Sequence, residues 1–296
     1  MKNNHVSVSF LQDYKSLSDA LIDLLGISKN QLKKSSLPPK VLKRYLTAKK
    51  EITLPIDLVN HGEINSLFVG RANPIIISMD QDFIVLSKPF KVHCHPHGYL
   101  EHDNLLSYMY EKNLGKDLQV NNKNYDRGLL YRIDYETSGL ILYIRDNKRY
   151  QDFRENFKEL VKQKKYLAVV EGECQSHGEL AHDIRYSGEK AHKGSLCNAP
   201  TSESFHARCI IEVHDYNKEK DCSLVELTLF EGLRHQLRLQ MMAIGHPIIG
   251  DPLYGKRDEQ RMFLHCWKYK VESEGVDKEY HDPHFELLSD FFSFNS

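Results

Sequence analysis

The sequence predicts an α+β protein, in which a mixed and mostly antiparallel sheet with flanking helices follows a small N-terminal helical module. From residue 75 onward the chain contains seven short apolar runs typical of strands: IIISM, FIVLSK, GLILYI, KYLAVVEG, ARCIIEVH, CSLVELTLF and MFLHCWKYKV. Only two segments with helical spacing interrupt these runs, whereas a doubly wound sheet would alternate strands with helices. Before residue 75, by contrast, the apolar residues have helical spacing.

The N-terminal module is predicted over residues 1–70 and the sheet-containing domain over residues 71–296. Four leucines have the spacing of one helix face: Leu17, Leu21, Leu24 and Leu25. Ser16 or Ser18 caps the start of this helix, and Gly26 ends it. A second helical segment, SKNQLKK, follows. SSLPP then breaks the pattern, KVLKRYL resumes it, and residues 62–74 form a linker.

The two helices of the larger domain are predicted after the third strand-like run and after the sixth. The first begins near Asn147, and Gly245 ends the second, with Pro247 beyond it. Their apolar faces are formed by Phe153, Phe157, Leu160 and Val161 in the first helix and by Leu237, Met241 and Ile244 in the second.

The composition is that of an ordinary globular protein. Its 296 residues are 41% hydrophobic and 27% charged, which suits one large domain or a small and a medium one. No apolar run approaches the ~20 residues that span a bilayer, and the N-terminus has no targeting pattern. The six cysteines include no C-x-x-C pair, which favours reduced thiols over disulfides or structural zinc. We therefore expect a cytoplasmic monomer that does not contact a membrane.

The net charge of −1 conceals a strongly basic segment. Between residues 24 and 50 the sequence contains eight basic residues and no acidic one. They are Lys29, Lys33, Lys34, Lys40, Lys43, Arg44, Lys49 and Lys50. A polyanion responds to such a local patch within a Debye length of about 8–10 Å, rather than to the total charge of the chain.

The stretch HCHPHG, residues 93–98, is the candidate metal site, because it contains three histidines and one cysteine. Zinc sites usually combine ligands from two separated clusters, and the sequence shows no second cluster of suitable spacing. We therefore predict no metal ion at this position.

The segment GLLYRIDYETSGLILYI, residues 128–144, places two charged residues in an apolar, strand-like context. Arg132 and Asp134 are side chains that a protein interior excludes unless they are paired. Taken alone, the stretch fits a structural ion pair as well as a catalytic carboxylate.

Five motifs of the chain, in order between residues 75 and 270, share one pattern. They are FIVLSKPFKVHCHP, YRIDYETSGLILYI, KKYLAVVEG, HQLRLQMMAIGHPIIGDPLYG and FLHCWKY. The second resembles the signature His-Arg-Leu-Asp-x-x-Thr-Ser-Gly of the RluA-type RNA pseudouridine synthases. The others resemble that family's Lys-Pro to His-Pro motif, its Lys-x-Tyr-x-Ala-x-x-x-Gly motif, its C-terminal motif and its closing Leu-His-Ala strand. The resemblance implies the pseudouridine synthase fold for the larger domain.

The same resemblance implies that Asp134 is catalytic, that Arg238 pairs with it, and that Tyr166 stacks on the target base and helps to take its C5 proton. The reaction breaks the N1–C1′ bond of a uridine, turns the base and rejoins it through C5, with no cofactor. An aspartate, ordinarily ionised near neutral pH, can attack C1′ or remove a sugar proton, and both roles stay open. The implied partner is a ribosomal or transfer RNA.

The resemblance further implies a set of substrate-binding residues: Arg132, Thr137, His235, Gln236, Lys88 and Arg234. Arg132 matches a position that enters the RNA stack when the base is turned out, a step that costs a few kcal/mol. Thr137, Ser138 and Gly139 form the turn that directs Asp134 into the cleft.

The chain departs from the family pattern at three places. Tyr131 replaces the usual histidine, a change of ring for ring, and Lys91 replaces a usual glycine after Lys-Pro. Residues 231–233, EGL, replace Thr-Gly-Arg, and Arg234 follows one position later. An RNA-binding paralogue without catalysis therefore remains an alternative. A carboxylate hydrolase of nucleosides or glycosides is a third, although it would normally need a second catalytic acid.

The N-terminal module is similar to the small α-L RNA-binding module that often precedes this catalytic domain. SDALIDLLGISKNQLKKS and NHGEINSLF occupy the positions of its helices and of its final Gly-Asp-x-Ile strand, whereas SLPPKVLKRYLTAKKEI does not match. The basic segment fits phosphate contacts, which provide affinity without sequence information. A solvated helix face is the alternative.

Overall fold

A computed structural model describes residues 4–60, 63–115, 118, 120, 121, 125–186, 193–197, 199–284, 291 and 292. The chain divides into two compact units. The first comprises residues 1–69, 95–115 and 122–126, and the second comprises residues 70–94, 116–121 and 127–296. Residues 61 and 62, which belong to the NHGEINSLF match and to the predicted linker, lie outside the described residues.

The described part of the first unit combines a two-stranded sheet with five short helices. Strands β1 (His5–Ser9) and β2 (Glu51–Pro55) pair antiparallel. The helices are α1 (Leu17–Leu25), α2 (Lys29–Lys34), α3 (Pro39–Leu42), α4 (Ile56–Val59) and α5 (Leu105–Glu111).

Helix α1 confirms the predicted N-terminal helix. The Ser16 hydroxyl accepts a hydrogen bond from the Asp19 amide at 3.1 Å, and Gly26, with φ of +65°, ends the helix. Leu21 is buried, whereas Leu24 is 56% exposed, so the buried face is narrower than the leucine spacing predicts.

The second unit is built on a sheet of ten strands among its described residues. They are β3 (Ile75–Met79), β4 (Phe83–Lys88), β5 (Ser138–Ile144), β6 (Val161–Glu171), β7 (Gly178–Tyr186), β8 (Gly194–Cys197), β9 (Ser204–Asn217), β10 (Cys222–Leu229), β11 (Leu264–Ser273) and β12 (Val276–His281). Their order is β3-β4-β5-β11-β6-β10-β9-β7-β8, with β12 paired to β11. Strands β5 and β11 run parallel, and the other described pairs are antiparallel. The predicted mixed, mostly antiparallel sheet is confirmed.

The prediction of one continuous helix after β5 is wrong. The structure has two helices there, α6 (Asn147–Glu155) and α7 (Phe157–Leu160), because the backbone leaves helical geometry at Asn156. Val161 begins β6, where it pairs with Val271, so sheet pairing overrides its helical spacing. The second predicted helix is confirmed as α8 (Gln236–Ala243), with Ile244 as its C-cap residue.

Strands β4 and β5 are buried at every residue, which explains their uninterrupted apolar sequences. Phe83 of β4 contacts Phe153 of α6 edge to face, with ring centroids 5.8 Å apart. The segment that enters β5, residues 131–137, therefore joins a fully buried part of the sheet. No helix formed by the described residues is long and apolar enough to cross a membrane.

Candidate active site

The turn that precedes β5 carries Asp134. The Thr137 amide donates to the Asp134 carbonyl oxygen at 3.1 Å, and β5 begins at the next residue. Gly139 has φ of +112°, and a Cβ there would lie 2.2 Å from the Cys266 carbonyl oxygen. Glycine is therefore required where β5 and β11 pair in parallel. This geometry matches the predicted turn.

A cavity of about 100 Å³, open to solvent, adjoins the Asp134 side chain. Seven of the nine predicted site residues line it: Arg132, Asp134, Thr137, Tyr166, His235, Gln236 and Arg238. Lys88 and Arg234 are not among the lining residues. The cavity thus brings together side chains from the turn before β5, from β6 and from the region around α8.

Arg238 joins two carboxylates at the wall of this cavity. Its Nη1 donates to Asp134 Oδ2 at 2.9 Å, while Nε and Nη2 donate to the two carboxylate oxygens of Asp251, both at 2.7 Å. Burial alone would lower the pKa of Arg238, but the hydrogen bonds and charge of Asp251, together with Asp134, raise it above its ordinary value. A permanent positive charge therefore lies beside Asp134, whose side chain is 24% exposed.

Asp251 is a functional residue that the sequence analysis missed. Its side chain is fully buried, and Oδ1 also accepts the amides of Leu253 at 2.8 Å and Tyr254 at 3.1 Å. These bonds fix the carboxylate that orients Arg238. The available signal was a carboxylate inside the motif HPIIGDPLYG, 13 residues beyond Arg238.

His235 connects the start of α8 to the same carboxylate. Its Nε2 lies 3.8 Å from Asp134 Oδ2, and its Nδ1 lies 3.1 Å from the Tyr254 hydroxyl. Burial lowers the pKa of His235 below its ordinary value, although the charge of Asp134 opposes this shift. The imidazole is therefore neutral near pH 7, so Arg238 provides the formal positive charge next to Asp134.

Residues 231–233, which depart from the family pattern, are held in place through the side chains of Gln236 and Glu231. Gln236 Oε1 accepts the amides of Gly232 and Leu233, both at 3.0 Å, and its Nε2 donates to the Arg208 carbonyl at 2.9 Å. Glu231 accepts the Arg208 amide at 2.6 Å and its Nε at 3.1 Å. The loop is thus fixed against β9 without the arginine that is usual at position 233.

Tyr166 of β6 lines the cavity and is 5% exposed. Burial, reinforced by Cys266, raises its pKa well above 10, so its phenol is neutral across the physiological range. Tyr131 stacks on Tyr269 with centroids 4.3 Å apart, and its hydroxyl donates to the Leu140 carbonyl at 2.7 Å. The tyrosine at position 131 therefore fills its place with a packed ring.

Lys164 is a charged residue that lines the cavity and that the sequence analysis missed. Its Nζ donates to the carbonyl oxygens of Phe230 at 3.1 Å and Glu231 at 3.3 Å. Burial lowers the pKa of Lys164 to about 8. It is the first residue of the motif KKYLAVVEG, two positions before Tyr166, so the motif itself contained the signal.

Lys88, expected to bind substrate, is fully buried and is bonded to main-chain carbonyls. Its Nζ donates to the carbonyl oxygens of Pro89 at 3.0 Å, Val92 at 2.7 Å and Tyr135 at 3.2 Å. Burial lowers its pKa to about 8. These bonds tie the loop after β4 to the residue that follows Asp134.

Two predicted arginines lie at the surface. Arg132 is exposed where it lines the cavity, which is the position expected of a side chain that meets RNA. Arg234 is exposed as well, and its carbonyl oxygen accepts the Tyr186 hydroxyl at 2.5 Å.

The HCHPHG residues have partners within the protein. The His93 ring lies 4.3 Å from the Tyr135 ring, Cys94 Sγ donates to the Ile133 carbonyl at 3.5 Å, and His95 Nδ1 lies 2.8 Å from the Pro96 carbonyl. Within the described part of the chain, no cluster of three or more His, Cys, Asp or Glu residues could hold a metal ion.

The chain is similar to known proteins in sequence and in fold. A sequence profile of the family described as RNA pseudouridylate synthase matches residues 82–243. An uncharacterized RNA pseudouridine synthase of Helicobacter pylori is 30% identical over 190 residues, which are 60% of this chain and 57% of that protein. Ribosomal large subunit pseudouridine synthase D of Zymomonas mobilis is 25% identical over 181 residues, which are 61% of this chain and 56% of that protein. The chain therefore spans little more than half of the length of these relatives.

The solved structure of human RNA Pseudouridylate Synthase Domain Containing 1 shares the fold. Its TM-score is 0.60 at 23% sequence identity, and the match covers 75% of this chain and 88% of that one.

Proposed function

This chain belongs to the RNA pseudouridylate synthase family, as a member of the RluA type, and we propose that it converts a uridine of a structured RNA into pseudouridine. The observation that carries the proposal is the 2.9 Å contact between Asp134 and Arg238 at a cavity open to solvent. The Arg238 guanidinium donates a charge-assisted hydrogen bond to the carboxylate that the reaction requires.

In the proposed reaction the N1–C1′ bond breaks with its electron pair on the base, and a C5–C1′ bond forms after the base turns. C5 loses a proton and N1 gains one, so the net change is an isomerisation. Asp134 acts on the sugar, either by attacking C1′ or by removing a proton from it. Both roles require a carboxylate oxygen that faces the sugar while the base lies in the cavity.

Tyr166 is proposed to stack on the base and to help to take the C5 proton. Because its phenol is neutral, Tyr166 would pass the C5 proton on only by giving up its own hydroxyl proton to another acceptor in the same step. Arg132 would replace the stacking that the turned-out base loses, since a planar guanidinium can lie against a neighbouring base.

The remaining predicted residues have two proposed tasks. Thr137 and His235 line the cavity and would contact the bound nucleotide, whereas the exposed Arg234 would contact RNA outside it. Gln236 and Lys88 are bonded to main-chain groups, so their contribution to binding would be to hold the loop at 231–233 and the turn at Asp134 in place.

The RNA partner is proposed to be ribosomal or transfer RNA. The Zymomonas mobilis relative carries the name of a ribosomal large subunit enzyme, which favours the ribosomal class. The N-terminal module, residues 1–70, is proposed to add phosphate contacts, because all eight basic residues between positions 24 and 50 are exposed. All six cysteines are free, which supports the proposed location in a reducing cytoplasm.

A tritium-release assay on RNA labelled at C5 of uridine tests the function. Release without free uracil is the expected result, because isomerisation exchanges the C5 hydrogen and retains the base. RNA binding without release would instead support a paralogue that has lost catalysis, which the departures at positions 91 and 231–233 motivate. Free uracil would identify a hydrolase.

A further inference from the structure

Arg261 is a buried cation that the proposed mechanism does not use. It is 9% exposed, and its guanidinium lies over two aromatic rings, 4.9 Å from the centroid of Phe90 and 5.4 Å from that of Phe263. Among the described residues it forms no ion pair with a carboxylate, and burial lowers its pKa to about 10. Its charge is thus stabilised by ring faces and neutral acceptors alone.

Arg261 uses only part of its hydrogen-bonding capacity. Nη2 donates to the Ser138 hydroxyl at 2.9 Å and Nε to the Met262 carbonyl at 3.4 Å, while Nη1 has no acceptor among the described residues. Arg261 lines an open cavity of about 360 Å³, separate from the one that contains Asp134. A buried cation with a spare donor at an open cavity is suited to an anion.

Two further cations lie around the same phenylalanine. Arg71 is exposed, with its guanidinium 5.6 Å from the Phe90 ring centroid, and the Lys91 Nζ donates to the Gln260 carbonyl at 3.3 Å. Lys91 has φ of +56°, a left-handed conformation that glycine adopts without strain. The chain therefore keeps a lysine at a position where its backbone geometry favours glycine.

We propose that Arg261, Lys91 and Arg71 form a phosphate-binding site for the RNA backbone near the target uridine. The proposal rests on the proposed function. The site is bonded directly to the catalytic turn, because the Lys91 amide donates to the Tyr135 carbonyl at 2.7 Å and Arg261 holds Ser138. A phosphate bound here would anchor the strand beside the turn that carries Asp134.

One carboxylate opposes this assignment and also provides a test of it. Glu259 is exposed and lines the same cavity as Arg261, so the four described residues Arg261, Lys91, Arg71 and Glu259 together carry a net charge of +2. A single unpaired arginine would bind phosphate weakly in water. Together with Lys91 and Arg71, however, the buried guanidinium of Arg261 is joined by two solvent-facing charges, which strengthens the attraction for phosphate. Removing the charge of Glu259 should therefore strengthen RNA binding.

The test measures binding of a short labelled uridine-rich RNA by the full chain over a range of salt concentrations. Lys91→Asn removes one cation and retains a residue that tolerates left-handed geometry, so the slope of log affinity against log salt should fall by about 0.7. Lys91→Gly should give the same loss of slope with an unchanged or higher melting temperature. Glu259→Gln should tighten binding. Lys270→Asn, which removes a lysine paired with Asp277 on β11 and β12, should leave the slope unchanged.

Equal slopes for the wild type, Lys91→Asn and Arg71→Gln would overturn the proposal. So would binding of inorganic phosphate, followed by ³¹P NMR, that is lost in Lys91→Asn while the RNA slope stays the same, because the site would then serve a free phosphate. Tritium release is measured separately on the wild type. A protein that shows the salt effects without any release would retain this site and refute the synthase activity.

Discussion

Two kinds of buried cation lie near the turn that carries Asp134, and they differ in what surrounds their charge. Arg238 is held by two carboxylates, Asp134 and Asp251. Lys88 and Arg261 instead meet carbonyl oxygens, a hydroxyl and aromatic rings, and neither forms an ion pair with a described carboxylate.

Because of this difference, the pKa values of the two kinds of cation shift in opposite directions. Carboxylates raise the pKa of Arg238, whereas burial lowers that of Lys88 to about 8 and that of Arg261 to about 10. Arg238, which must stay charged in the proposed mechanism, thus has fixed counter-charges. A cation without a counter-charge holds the backbone or remains available to an anion from outside the protein.

The largest effect is expected when Arg238 loses Asp251, one of its two carboxylate partners. Asp251→Ala leaves Arg238 buried with Asp134 as its remaining partner, and breaking such a buried pair costs about 3–5 kcal/mol. Urea unfolding should show this loss in the free energy of unfolding, and tritium release should fall with it. The matched change at an exposed aspartate, Asp258→Ala, should alter neither quantity. A stability loss below about 1 kcal/mol for Asp251→Ala would show that the pair does not govern this region.

A smaller effect is expected when residue 238 keeps its positive charge but loses the bidentate geometry of the guanidinium. Arg238→Lys retains a cation, but one ammonium cannot reproduce the bidentate bonds to Asp251 and also reach Asp134. Tritium release at saturating RNA should fall by about a hundredfold. Arg257→Lys, at a half-buried arginine outside the cavity, serves as the control. Full activity of Arg238→Lys would mean that charge alone is sufficient.

The smallest effect is expected at Lys88, where a substitution should change how steeply the free energy of unfolding depends on pH. The unfolded lysine has an ordinary pKa of about 10.4, and the folded one titrates at about 8. Between these values the unfolded chain binds one more proton than the folded chain, so stability rises with pH. Replacing Lys88 by Met should lower the slope of the free energy of unfolding against pH by up to about 1.4 kcal/mol per pH unit. Urea titrations from pH 8 to 10 measure it, and parallel slopes in the two proteins would refute the depressed pKa.

The class of fold was predictable because strand-like runs and helical spacing are local signals. The end of α6 was not, because Phe157 and Leu160 continue the helical spacing while the geometry at Asn156 interrupts it. The parallel pairing of β5 with β11 joins residues such as Ser138 and His265, which are 127 positions apart. Pairing over such distances depends on the whole sheet.

At the candidate site, the resemblance identified Asp134 and Arg238, which are 104 positions apart and in contact in the structure. It also assigned Lys88 to the substrate, yet Lys88 is bonded to three carbonyl groups. A motif reports which residue type occupies a position and does not report which way its side chain points. Asp251 was missed for the same reason, since its bonds to Arg238 depend on the turn that follows Ile249.

The most direct test of the account is tritium release by Asp134→Asn at saturating RNA. The amide keeps the shape of the side chain and removes its charge, and Arg238 retains Asp251. Release should fall by at least about a thousandfold, while RNA binding and the melting temperature remain near those of the wild type. A folded Asp134→Asn protein that releases tritium at the wild-type rate would contradict the account.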